Sequence, residues 1–226
     1  VTGFFQVIFL SALLYGQIIT GFQAPEKAVV FTFDACETQT PAYFDKQLLD
    51  FIIENKIPTT LFLSGKFIER NRDDVKFISS YDFIEIENHS YSHADFRKLK
   101  DDEVLSDIER NQNLIKEVTG RTPLFFRFPY GEYTQKNLEI IEKSGLKVVH
   151  WAFPSGDPDK RLSKSQLVRG VTSNVKSGDI LIFHINGRGW KTKEAFPEIV
   201  NILKKEGYHF YLLKDVKLLL SKQPMF

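Results

Sequence analysis

The chain has 226 residues, 42% of them hydrophobic, and sets 30 Lys and Arg against 29 Asp and Glu for a formal net charge of +1. That length and composition suit one globular domain with a full core, and the evenly spread charge, with no basic block, excludes an electrostatic case for a nucleic-acid or other polyanionic partner and points to a neutral polar one. Cys36 is the single cysteine, which leaves no internal disulfide and no thiolate metal cluster; it reads as small buried filler, with a catalytic thiol as the sharper alternative.

The first 25 residues carry no charge and include an apolar run over 4–15, relieved by Gln6 and Ser11. The run is too short for a comfortable membrane span. It has the character of a secretory h-region with a cleavage neighbourhood at 21–24, although a basic n-region is missing; a buried N-terminal helix and an uncleaved anchor are the alternatives. The expectation is a signal peptide or N-terminal anchor over 1–25, a single domain over 26–226, and an extracytoplasmic protein whose membrane contact is confined to that anchor.

Beyond residue 25 two kinds of segment alternate. Short runs rich in β-formers occur at 28–33, 59–63, 83–87, 124–128, 147–151, 179–184 and 208–212. Between them lie stretches with helical spacing of apolar residues: Leu48, Leu49, Ile52 and Ile53; Val104 to Val118; Phe196 to Leu203. Gly120, Gly145 and Gly207 stand where left-handed helix caps belong. Strict alternation without a composition break predicts a parallel sheet covered by helices, either an open doubly wound sheet or a barrel. Neither a Gly-x-Gly-x-x-Gly nor a P-loop follows the first strand, which disfavours the nucleotide-binding versions. The acidic pairs Asp73-Asp74 and Asp101-Asp102 read as helix N-terminal charges.

The strand ends carry the chemistry, as they do in barrels. "VVFTFDACE" ends on Asp34, "FIEIEN" runs into His89 and His93, "PLFFRFPYG" holds Arg127, "VVHWAFPSGDPD" holds Asp157 and "DILIFHING" ends at His184. His89 and His93 are spaced so that on one helical turn both imidazoles would face the same cation; two hydrogen-bonded structural histidines are the plainer alternative. Arg127, set among Phe125, Phe126, Phe128 and Tyr130, needs a carboxylate partner if buried, and Asp34 and Asp157 are the candidates. His150 and His209 have no motif around them.

Taken in order, Thr32-Phe-Asp34, Asn88-His-Ser-x-x-His93, Arg127-x-Pro-Tyr-Gly131, Trp151 with Ser155-Gly-Asp157, and the apolar run into His184 resemble the polysaccharide deacetylase (NodB-homology) family, carbohydrate esterase family 4. The likeness extends from Lys27 to about Leu220, and "TFDAC" with "SGDP" and "HINGRG" looks like a subgroup of it. The resemblance implies a distorted (β/α)7 barrel, NodB-like and TIM-barrel-related, and metal-dependent removal of acetyl groups from N- or O-acetylated sugars of a peptidoglycan- or chitin-like polysaccharide. It implies His89 and His93 as ligands of a divalent metal, Zn²⁺ foremost; Asp34 as base; Arg127 orienting that base; Asp157 tethering Arg127; the Tyr130 N–H holding the oxyanion; and His184 as general acid. Trp151, Trp190 and Tyr130 are candidates to stack on sugar rings. The partner is then an acetylated glycan, with no nucleic acid and no obligate protein partner.

One position departs from the family pattern. The usual first motif ends in two aspartates, base then metal ligand, and here the second is Ala35. A hydrolytic metal site wants about three protein ligands and an open position. Three resolutions stay open: Asp34 becomes the third ligand, the favoured one; Asp34 stays the base while Glu37 or water completes the shell; or the site is inactive and the protein only binds glycans. A metal-dependent C–N hydrolase of small molecules on the same barrel is a further alternative.

Overall fold

The residues 28–35 alternate bulky apolar and β-branched side chains, and they form a strand, β2 (Ala28–Ala35), every residue of which is buried. The computed structural model describes residues 17–221 apart from Pro25, and β2 is its central stave. On one edge β2 pairs in parallel with β7 (Asp179–His184). On the other, its second half pairs with β3 (Thr59–Leu63) and its first half with β8 (His209–Tyr211). From β3 the sheet continues in parallel through β4 (Ile84–Asn88), β5 (Phe125–Phe126) and β6 (Lys147–Val149).

The ring closes through β1 (Ile18–Gln23), which runs parallel to β6 at Ile18 and Ile19 and then, past a bulge, touches β7 through Gly21 opposite Asp179. Above that contact the chain leaving β6 lies directly against β7, with the Ala152 N–H donating to the Ile180 carbonyl and a bridge between Pro154 and Ile182. The result is a seven-stave barrel, β2-β3-β4-β5-β6-β1-β7, with one irregular seam. A Cβ on Gly178 would sit 2.5 Å from the Phe22 carbonyl oxygen, so the seam requires glycine there. β9 (Lys217–Ser221) pairs antiparallel with the outer edge of β1.

Among the described residues, seven helices accompany the staves: α1 (Lys46–Glu54), α2 (Gly65–Arg70), α3 (Arg72–Ile78), α4 (Asp101–Thr119), α5 (Gln135–Lys143), α6 (Lys164–Thr172) and α7 (Thr192–Lys205). The alternation along β2 sorts its side chains: Val29, Phe31, Phe33 and Ala35 join the apolar layer beneath the helices, while Ala28 and Val30 join the barrel interior. Thr32 and Asp34 share that inner face near its upper end. On β4, Ile84 and Ile86 face the helices, and Glu85 and Glu87 are buried on the opposite face. Gly120 caps α4 at φ 71°, and Gly145 and Gly207 take the same left-handed conformation, as expected from their placement.

The expected strands all form: 59–63 and 179–184 match to the residue, 28–33 extends to Ala35, 83–87 shifts by one residue to Ile84–Asn88, and 124–128, 147–151 and 208–212 are shortened, the first of them to two residues. The boundary at 25 is corrected. Ile18–Gln23 is a barrel stave bonded to three other strands, so the suggested cleavage neighbourhood at 21–24 falls within the domain. The rest of the suspected leader, over 1–16, lies outside the described residues.

Candidate active site

The upper ends of the staves place Asp34, His89, Arg127 and His184 around one axis. Asp34 and His184 are register partners on β2 and β7. Arg127, next after β5, is fully buried, and its guanidinium is satisfied on every side. Nη1 donates to Asp34 Oδ1 at 2.7 Å and to Thr32 Oγ1 at 2.9 Å, Nε to the Val149 carbonyl and Nη2 to the His150 carbonyl. Its charge also lies 4.0 Å over the Phe62 ring. Burial alone would raise the Asp34 carboxyl, but Arg127, His89 and His184 together bring it below its ordinary range, so Asp34 stays ionised.

His89 Nδ1 lies 2.8 Å from the Arg127 carbonyl. A carbonyl only accepts, so Nδ1 carries the proton and Nε2 presents its lone pair. That lone pair faces Asp34 Oδ2 across 3.6 Å, too far for a hydrogen bond and close to the spacing of two donors that share one cation. His93 packs edge-on to His89, with ring centroids 4.9 Å apart. A helix does not bring them together, contrary to the spacing argument. The loop after β4 does so, with Ser90 at φ 67° and His93 itself at φ 55°, a conformation that costs non-glycine residues and clusters at functional sites. Burial, then the neighbouring His89, pushes His93 down to about 3, so it is neutral.

This strained loop is braced from α4. Asp107 accepts the N–H groups of Tyr91 and Ser92, and Asn111 donates to the Leu63 carbonyl and to Asn88 Oδ1, which in turn accepts the Ser90 N–H. The signal for them in the sequence is two polar residues one turn apart on an otherwise apolar helix face.

Asp157 is placed differently from the expectation. Its carboxylate is occupied by His184, by Ser155 Oγ at 3.1 Å and by Thr192 Oγ1 at 2.7 Å. It therefore orients His184, and the tether of Arg127 is Asp34. A Cβ on Gly189 would fall 2.1 Å from Thr192 Oγ1 and 2.5 Å from Asp157 Oδ2, so glycine is needed for this loop to close over the pair. Burial presses the His184 imidazole down, but the hydrogen bond and charge of Asp157 outweigh it and raise His184 overall.

Asp34, His89, His93, Asp157 and His184 line a cavity of about 320 Å³ whose wall also includes Tyr130, Trp151, Cys36 and Arg188. Tyr130 (φ 62°) lays its ring on His93 at 4.6 Å and is largely exposed. Trp151 lies against Gly131 and His150. Trp190 is not part of this wall; it sits on the loop outside, with Lys160 Nζ 4.3 Å over its ring. Cys36 is buried and its thiol is pushed up to about 11 by burial, which matches filler and not a nucleophile. Glu37 is also absent from the wall: it forms a two-pronged ion pair with Arg70 and accepts the Ala42 N–H, which removes it as a completing ligand.

The donors fit a divalent cation in kind. Asp34 Oδ2 and His89 Nε2 face one another, and His93 Nδ1 is buried with no hydrogen-bond partner. Among the described residues, though, no three His, Cys, Asp or Glu side chains already converge on one point. Ala35 accounts for part of that, since its side chain belongs to the apolar layer under the helices.

The chain matches the pattern of the family described as polysaccharide deacetylase over residues 22–149. It is 27% identical over 175 residues to a peptidoglycan-N-acetylglucosamine deacetylase of Bacillus cereus, covering 76% of this chain and 63% of that one. It is also 27% identical over 191 residues to a bifunctional xylanase/deacetylase of Pseudobutyrivibrio xylanivorans, covering 84% of this chain and 30% of that one. The chain thus spans less than two thirds of either relative. Among solved structures, a peptidoglycan N-acetylglucosamine deacetylase superposes with a TM-score of 0.80 at 25% identity, over 90% of this chain and 93% of that one. A CE4 family pseudoenzyme from Bacillus anthracis shares the fold, with a TM-score of 0.78 at 22% identity over 90% and 69%. The family match over more than half of the chain and the barrel with its occupied rim agree: the chain belongs to the polysaccharide deacetylase family.

Proposed function

We propose that this domain is a metal-dependent hydrolase that removes acetyl groups from N- or O-acetylated sugars of a peptidoglycan- or chitin-like polysaccharide outside the cytoplasm, in a subgroup of the family marked by the TFDAC motif. The observation that carries this reading is the convergence of Asp34, His89, His93 and an Asp157-held His184 on one cavity at the stave ends. The names of the relatives, deacetylases of peptidoglycan and of xylan among them, support the substrate class.

Asp34 Oδ2, His89 and His93 are the residues that would hold a divalent ion, Zn²⁺ first among the candidates. When bound, it would supply Lewis-acid polarisation of the acetyl carbonyl and a water of lowered pKa. The chain's own groups do the rest. Arg127 holds Asp34 through Oδ1 and keeps it ionised with Oδ2 turned to His89. The Tyr130 N–H stabilises the developing oxyanion. His184, with Nδ1–H donated to Asp157, delivers its Nε2 proton to the departing nitrogen or oxygen. Water adds to the carbonyl carbon and its proton passes to solvent, the C–N or C–O bond breaks as His184 protonates the leaving atom, and acetate and a free amino or hydroxyl sugar leave. Tyr130 and Trp151 offer aromatic faces to the sugar.

A second reading, glycan binding without turnover, is favoured by one observation: position 35 cannot deliver a ligand from inside the apolar layer. Acetate release from acetylated chito-oligosaccharide and peptidoglycan fragments, measured before and after chelation and with metal content recorded, separates the two. Release that chelation abolishes and Zn²⁺ restores supports the hydrolase. Saturable oligosaccharide binding with no release and no metal supports the second reading.

A further inference from the structure

Every carboxylate on the cavity wall is matched. Asp34 is paired with Arg127, and Asp157 is occupied by His184, Ser155 and Thr192. One cation on the same wall is not. Arg188 lines the cavity, and among the described residues no ion pair joins it to an acid; its side chain's hydrogen bond is from Nη2 to Thr38 Oγ1 at 2.7 Å, which leaves the rest of the guanidinium fork without a partner. It is exposed, yet close enough to His93 and His184 to bear on their charge.

The loop that carries Arg188 is built to hold it there. On one side the buried Asn186 donates to the Cys36 carbonyl and accepts the Arg188 N–H, and Gly187 supplies a left-handed turn at φ 78°. On the other, Gly189 has no room for a Cβ, the Trp190 N–H donates to the Asp157 carbonyl, and Thr192 is bonded to the Asp157 carboxylate. An arginine fixed at both flanks, with one prong anchored and the other donors open to the cavity, is preorganised for a planar two-oxygen acceptor. A neutral sugar offers only uncharged oxygens, whereas a carboxylate supplies two oxygens and the opposite charge. Lys160, also without an ion pair among the described residues, extends the positive rim over Trp190.

We infer that Arg188 is a specificity-determining residue and that the acetylated sugar this site takes carries a carboxylate, which the Arg188 fork grips beside the acetyl group. The inference rests on the deacetylase reading for its sugar, but the binding measurement below does not depend on turnover.

The test uses the whole chain with three oligosaccharides: neutral acetylated chito-oligosaccharide, the same oligomer oxidised to carboxylates at C6, and an N-acetylmuramyl oligomer whose carboxylate is on a lactyl ether. Titration calorimetry gives binding, and acetate release gives the ratio of kcat/KM between acidic and neutral substrates. The protein should bind at least one carboxylated oligomer about tenfold or more tighter than the neutral one, less so at high salt. Arg188→Gln should bring that ratio close to one, chiefly through KM, and Arg188→Lys should keep part of it, since it keeps the charge and loses the fork. Which carboxylated oligomer is preferred locates the acid on the sugar. The inference is overturned if neither acidic oligomer is preferred, or if Arg188→Gln keeps the preference. Preferential binding that depends on Arg188 with no acetate released from any oligomer would leave the inference standing and sink the hydrolase reading instead.

Discussion

Asp157 holds His184 at two points: one carboxylate oxygen accepts the His184 backbone N–H at 2.7 Å, and the other pairs with the ring Nδ1 at 2.9 Å. The imidazole is thereby fixed in tautomer and direction, and its proton affinity is raised against the effect of burial. A histidine whose folded value is raised stays protonated to higher pH, and the stability from the pair is complete below the ordinary histidine range and lost as pH rises through the folded value. Asp157→Asn removes the charge. The alkaline limb of kcat/KM should move to lower pH, and turnover at neutral pH should fall by about 100-fold. An unmoved limb would mean that another group supplies the proton.

Arg127 is fully buried and makes four side-chain hydrogen bonds, and its removal leaves Asp34 buried without its paired countercharge. Arg127→Ala should lower the unfolding free energy by about 3–5 kcal/mol, read as a shift of the urea midpoint at constant slope. Arg127→Lys keeps a charge but offers no planar fork to the Asp34, Thr32, Val149 and His150 acceptors, and should fall between the two.

Ala35→Asp restores the residue type of the usual family motif, but into an apolar layer. The added carboxylate should destabilise the fold by about 3 kcal/mol, seen in chemical denaturation, without raising Zn²⁺ affinity in equilibrium dialysis. A gain in Zn²⁺ affinity would show that β2 unpairs at its end to swing residue 35 into the cavity.

Glu87 is buried on the inner side of β4, and both N–H groups it accepts, from Leu124 and Phe125, go to one oxygen. Burial, then the charge of Glu85, raises it well above the ordinary glutamate value. With a raised folded value, the fold loses stability as pH climbs from the ordinary glutamate range through that value. Glu87→Gln keeps an acceptor for both N–H groups and drops the charge, so it should stabilise the protein at neutral pH by about 1 kcal/mol and flatten the dependence of Tm on pH.

The sequence makes some of this legible and hides the rest for physical reasons. Thr59–Leu63 and Asp179–His184 are readable to the residue, because buried parallel strands demand apolar runs bounded by polar ends. β1 is not, because Ile18–Gln23 has the same uncharged, apolar composition as an export signal, and only its distant partners reveal it as a stave. The rim residues are legible as polar side chains at strand ends. Their pairing is not: Asp157 chooses His184 over Arg127 through space, and nothing along the chain encodes that choice. His89 and His93 are found by spacing but assembled by a loop with two left-handed residues. Arg188 hides in a glycine-rich segment whose tryptophan draws the eye.

The seam has a consequence for how the molecule is made. β1 precedes every other described strand, yet its partners are β6, β7 and β9, all supplied by the far end of the chain. On a ribosome the first stave must therefore wait, unpaired, until more than a hundred further residues have emerged. Such distant pairing is slow to form and leaves an apolar edge open meanwhile, so barrel closure at β1 should be the late event in refolding, and the half-closed barrel the species most prone to aggregate.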